Sequence, residues 1–260
     1  MKGVNDINKD NNVYICHIET FSDELKERIR DKLSCIWHGA VSSSENQDIY
    51  NYQKTLEDFL ERYKLQTLDT KKGMMGELLA HIFIPNFISE FDVVSIMKNK
   101  EERKIKLGFD IVYYSKNSAT IWYCEVKAGG DEDNLEINEK NHERLNAAKR
   151  GIREMIESNR ITLWQSVLND VNLTIFNHEK RVDVNKLLKN DYPTCNVGRK
   201  KNVLLCSVLY KDLSKKICPN NLKEYKNSID KENTFASVII FSIQKETYTK
   251  IEKFLENEII

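Results

Sequence analysis

The chain has 260 residues, 40% of them hydrophobic, which is enough to bury a core and long enough for one large domain or two small ones. Its 40 basic and 40 acidic residues cancel, so it lacks the overall positive field of a stand-alone nucleic-acid binder; that work falls to local patches or to a partner. The polar stretch Met1 to Asn12 and the short apolar runs, such as Ile82 to Pro85 and Val238 to Phe241, resemble neither a signal peptide nor a membrane span, and the expectation is a cytoplasmic protein.

After a disordered tail, Val13 to Ile18 reads as a short strand. Ser22, with acidic residues behind it, opens an amphipathic helix carrying Leu25, Ile29, Leu33 and Ile36. Ser42 to Asp48 reads as a loop, and a second helix from about Tyr50 to Lys64 turns Tyr52, Leu56, Phe59, Leu60 and Tyr63 to a core. These elements form an expected N-terminal, mainly helical cap or subdomain over residues 1–65, ahead of a main domain over 66–260. A third helix is predicted from Thr70 to about Phe83, with Leu78, Leu79, Ile82 and Phe83 buried, Glu77 in its middle, and Pro85 helping to end it.

The period then changes. Phe91 to Met97, Ile105 to Tyr114 and Thr120 to Lys127 read as strands rich in Val, Ile, Tyr and Trp, and the turn Lys116-Asn117-Ser118 makes the last two an antiparallel hairpin. An acidic loop, Gly129 to Asn134, leads to a long helix from about Asn138 to Ser158, with Leu145, Ala148, Ile152, Met155 and Ile156 on one face. A helical segment (Ile161 to Asn169), a region without clear pattern, strands at Val203 to Tyr210 and Ala236 to Ile243, and a closing helix at Glu246 to Asn257 complete an α/β order of elements.

Several chemistries lack their signatures. The six cysteines are scattered with no CxxC pair, the five histidines form no HExxH, and no GxxxxGK[ST] phosphate loop exists. Cys124, alternating with Glu125 along its strand, is expected to be a buried small hydrophobe, and Trp122 and Tyr123 belong to the core. Three basic patches could meet nucleic acid or simply be solvated loops: Lys98 to Lys106, Arg199 to Lys201, and the pair Lys215 and Lys216.

The chemistry that does have a pattern lies in Gly108-Phe109-Asp110 and Cys124-Glu125-Val126-Lys127. Hydrolysis of a phosphodiester needs a hard divalent cation, held by carboxylate oxygens and water, beside an activated water. Asp110 and Glu125 stand on the two arms of the predicted hairpin and can supply such oxygens. Strand alternation puts Glu125 and Lys127 on one face and Val126 in the core, so a cation sits beside the carboxylates, able to hold or deprotonate water or to stabilise transition-state charge. Glu77 is either solvent-facing or an additional carboxylate of the same site. Either tripeptide alone is as readily a cross-strand charge pair; their conjunction on neighbouring strands, between a preceding and a crossover helix, points to a metal site.

Together these runs resemble the metal site of PD-(D/E)xK nucleases. Gly76-Glu77-Leu78-Leu79, Lys98, Gly108-Phe109-Asp110-Ile111-Val112, Glu125-Val126-Lys127-Ala128 and the helix through Ala147 and Ala148 resemble the HamA family, the nuclease subunit of the Hachiman anti-phage system. The likeness is fullest over residues 70 to 160, extends to the strand and helix at the C-terminal end, and is only general over the first 65. It implies a PD-(D/E)xK restriction-endonuclease-like core, a central mixed sheet flanked by helices, and Mg2+- or Mn2+-dependent cleavage of DNA. It also implies a HamB-like helicase partner that restrains the nuclease. Under it Asp110 and Glu125 would bind the metal, Lys127 would be the catalytic lysine and Glu77 the helix-borne carboxylate. Gly-Phe stands where the motif's name has proline, a residue that is not a ligand. Two other functions stay open: an inert nuclease-like module that binds nucleic acid or a partner, and a free-standing restriction or repair endonuclease, for which no recognition domain is evident.

Overall fold

A run of Val, Ile, Leu and Phe with almost no polar interruption suits a strand covered on both faces, and two such runs, at residues 203–210 and 238–243, lie at the middle of the sheet. The computed structural model describes residues 2–7, 12–98, 108–130, 135–158, 160–192, 195 and 198–259. The strands are β1 (Val4–Ile7), β2 (Val13–Ile18), β3 (Phe91–Val93), β4 (Ile111–Ser115), β5 (Thr120–Gly129), β6 (Asn202–Tyr210) and β7 (Ser237–Lys245), joined in the order β1-β2-β7-β6-β5-β4-β3. β2, β7, β6 and β5 run parallel, and an antiparallel pairing closes each side: β1 on β2, and β4 on β5 with β3 beyond. The protein is therefore α/β with a mixed sheet flanked by helices.

Two apolar layers cover the sheet. On one face α1 (Asp23–His38), α3 (Tyr52–Lys64), α4 (Leu68–Phe87) and α9 (Thr249–Asn257) pack on Cys124, Val126, Cys206, Val208 and Phe241. On the other, α5 (Ile137–Glu157), α6 (Ile161–Thr174), α7 (His178–Asp191) and α8 (Pro219–Glu232) pack on Tyr123, Leu205, Leu209 and Ile240. A short helix, α2 (Ala40–Glu45), follows α1. Ser22 caps α1 by accepting from the Leu25 amide, and Glu136 and Glu139 cap α5 reciprocally. Among the described residues no helix is long and apolar enough to cross a membrane.

The structure corrects several expectations. The tail before β2 contributes a strand, β1, paired along β2. The loop expected from Ser42 begins inside α2. Pro85 lies within α4, which continues to Phe87, although proline removes the amide that would bond the carbonyl of His81. The helix persists because it is buried around its whole circumference: Leu78, Leu79, Ala80, Ile82, Phe83 and Ile84 are all in the core. β3 stops at Val93, short of Met97, because the next residues bond elsewhere: Met97 N to Ile36 O at 2.9 Å, and the Val112 amide to Ser95 Oγ at 2.9 Å. The expected strand start at Ile105 and the acidic loop at residues 131–134 lie outside the described residues.

Candidate active site

β4 and β5 pair through Ile111↔Cys124 and then part, while β5 continues along β6 to Gly129. Extending that antiparallel register sets Asp110 across from Glu125, at the fork. Phe109 fixes the approach: it is 1% exposed and packs against Tyr123 and Trp164, with ring centroids 4.6 and 5.3 Å away. Asp110 then turns back, and its Oδ2 accepts the Val126 amide at 2.7 Å. That hydrogen bond stands where a ladder bond between β4 and β5 would otherwise be, and holds the carboxylate between Glu125 and Lys127.

Alternation along β5 sends Cys124 and Val126 into the α4 layer and Glu125 and Lys127 to the other side. Lys127 Nζ donates to Glu125 Oε1 at 2.5 Å, while Glu125 Oε2 is buried with no hydrogen-bond partner. Two carboxylates and an ammonium thus share one corner, in which Glu125 is buried and Asp110 and Lys127 are half-buried. Burial first, and then the neighbouring Asp110 charge, push the Glu125 carboxyl up to about 8, with Lys127 opposing. Burial also works against the Lys127 charge, but Glu125 and Asp110 outweigh it and hold the ammonium above its ordinary value. The Cys124 thiol is pushed well above its ordinary range by burial; it is the packed hydrophobe expected, without thiolate reactivity.

Glu77 faces away from solvent for most of its side chain. Its side chain is 16% exposed, and Oε1 lies 3.8 Å from Nε2 of the buried His81, one helical turn on. Its charge acts on Lys127, more weakly than those of Glu125 and Asp110, and on Tyr113 and Cys124. The preceding Gly76 lets α4 approach β5 closely: a Cβ there would stand 2.6 Å from Ala128 Cβ.

Two residues of α5 that the sequence did not single out also border the site. Gly151 lies over Glu125, where a Cβ would be 3.0 Å from Oε1. A glycine inside an otherwise regular helix was the available signal for such a close approach. Arg144, two turns earlier, lies over Gly129 at the end of β5, and nothing in the sequence separated it from the other basic residues.

The basic patches are engaged with carboxylates. Lys98 pairs with Asp58, which also accepts from Trp37 and Arg62; Lys201 pairs with Asp191 at 3.1 Å, Lys215 with Glu136 and Lys216 with Glu19, both at 2.8 Å. Residues 99–107 of the first patch lie outside the described residues.

A family model described as HamA matches residues 2–259. The chain belongs to the HamA family. It is thereby a component of the Hachiman anti-phage defence system. The match spans the N-terminal strands and helices as well as the Asp110/Glu125/Lys127 corner, so the whole chain carries the HamA character. None of the curated proteins compared with this HamA chain matches it.

The residues present suit a hard divalent cation. Both donors are carboxylates, and one oxygen, Glu125 Oε2, is buried without a hydrogen-bond partner. Among the described residues no three His, Cys, Asp or Glu side chains group closely enough to enclose an ion. A magnesium ion does not require that, since it keeps several waters and takes one or two carboxylates.

Proposed function

We propose that the protein is a metal-dependent DNA nuclease of the PD-(D/E)xK type, the cutting subunit of a Hachiman complex restrained by a helicase partner. The observation that carries the reading is the juxtaposition at the β4/β5 fork. Asp110 and Glu125 crowd together, an oxygen of Glu125 is orphaned, and Lys127 lies against the pair. A structural charge pair would need one carboxylate and the lysine; the half-buried Asp110 beside the buried Glu125 raises the cost of ionising it.

Asp110 and Glu125 are the residues that would hold Mg2+ or Mn2+. The ion would neutralise charge building on the phosphate and lower the pKa of its water. Asp110 is preset for binding because the Val126 amide fixes its carboxylate before any ligand arrives. Lys127, tethered to Glu125 Oε1, stays protonated at neutral pH and so acts by positioning water or stabilising negative charge in the transition state. Glu77 adds negative potential behind Lys127 and is assigned a supporting catalytic role.

The equal numbers of basic and acidic residues and the pairing of the described basic patches support a division of labour in which the motor grips DNA and this chain cuts it. The test is cleavage of plasmid DNA in magnesium or manganese, with and without the product of the neighbouring gene, by wild type, Asp110→Ala and Lys127→Ala. Wild type alone should cut, and each substitution should lower the rate at least about a hundredfold. Equal activity in all three proteins would end the site assignment, and an inert wild type with a competent partner would favour the binding-module function.

A further inference from the structure

Glu125, Lys127 and Gly129 alternate onto the same face of β5, beneath α5. The third position carries no side chain, and Arg144 fills its place: a Cβ on Gly129 would lie 3.1 Å from Arg144 Cζ and 3.3 Å from Nη2. Gly129 also has φ +142, so any other residue would be strained there. The result is a guanidinium laid against the strand two residues beyond the candidate catalytic lysine, about 7 Å along β5.

Arg144 Nε is buried and has no hydrogen-bond partner, and among the described residues the guanidinium forms no ion pair. Lys98, Lys201, Lys215 and Lys216, by contrast, each have a carboxylate. A planar guanidinium without a carboxylate partner suits an oxyanion, and phosphate oxygens match its outer nitrogens in shape and charge. The spacing of about 7 Å along β5 between Lys127 and the Gly129 position that Arg144 covers corresponds to a step of one to two nucleotides along a DNA strand.

Resting on the nuclease reading above, we propose that Arg144 is a substrate-positioning residue that binds the DNA phosphate adjacent to the one being cut. By holding that neighbour it sets which ester lies against Asp110, Glu125 and Lys127.

The experiment is binding of a fluorescein-labelled DNA duplex to the full chain in calcium across a salt series, for wild type, Arg144→Gln and Arg144→Lys, with thermal unfolding of each recorded. Arg144→Gln should weaken binding about tenfold and make the dependence of log K on log salt shallower by about one ion. Arg144→Lys should restore the slope but only part of the affinity, because an ammonium cannot form the fork. In magnesium, Arg144→Gln should raise KM more than it lowers kcat. The proposal is overturned if the Gln variant keeps the wild-type slope, if wild type binds no duplex at any salt, or if both variants lose binding only in step with lost stability. A wild type that binds but cuts in neither magnesium nor manganese removes the nuclease reading, and the salt slope still decides whether Arg144 meets phosphate.

Discussion

Replacing Glu125 by Gln should stabilise the metal-free protein. In the unfolded chain the Glu125 carboxyl releases its proton near 4.5, whereas in the fold it holds it to about 8. Between those values the folded state binds more protons than the unfolded one. Stability therefore falls as pH rises through the window, and is level below and above it. At pH 7 the protein is about two and a half pH units into the window, which at about 1.4 kcal/mol per unit amounts to at most about 3.5 kcal/mol. Gln keeps the side-chain volume and the oxygen that accepts from Lys127, and its amide nitrogen can donate toward Asp110. Urea unfolding in EDTA should find Glu125→Gln more stable than wild type at pH 7, by up to about 3.5 kcal/mol, with the two curves converging near pH 4.5. Added magnesium should stabilise wild type and leave the variant unchanged. A variant less stable than wild type at pH 7, or a difference that does not vary with pH, would mean that the two carboxylates are not in conflict.

Three further outcomes follow from the geometry. Gly151→Ala places a methyl 3.0 Å from Glu125 Oε1; metal-dependent cleavage should fall about tenfold while urea unfolding shifts by no more than about 1 kcal/mol, since alanine otherwise favours the helix. Gly76→Ala drives α4 against Ala128 and should cost about 1–3 kcal/mol in urea unfolding, recovered in part by adding Ala128→Gly. His38, stacked on Tyr50 at 4.0 Å, is lowered to about 4 by burial and then by Lys98, with Asp58 opposing. Its contribution is whole above pH 6.5 and is lost as pH falls toward 4, at most about 3.5 kcal/mol; acid unfolding of His38→Phe should lack that component.

The hairpin was legible because local signals agreed: a polar turn at Lys116-Asn117-Ser118 separates two runs of β-branched and aromatic residues, and alternation alone put Glu125 and Lys127 on one face. α1 was legible from Ser22 and the spacing of Leu25, Ile29, Leu33 and Ile36. α7 and α8 were not, because each buries few apolar side chains, Val184 and Leu188 in one and Leu222 and Ile229 in the other, leaving little periodicity to read. β1 is four residues long and exists through its pairing with β2, which no local pattern announces. The pairing of Asp110 Oδ2 with the Val126 amide, and the place of Arg144 over a bare glycine, depend on how α5 and the β4/β5 fork meet in space.

β2 lies against β7, so the first long strand of the chain has its parallel neighbour near the other end. A ribosome making this protein releases the N-terminal strands long before their partner exists, and they must wait with an unpaired edge. β5 likewise has β4 at once but must wait for β6 on its other side. A chain cut short before β7 can neither seat its beginning nor complete the sheet that carries Glu125 and Lys127. Under the nuclease reading proposed above, incomplete copies therefore lack the assembled corner that would do the cutting.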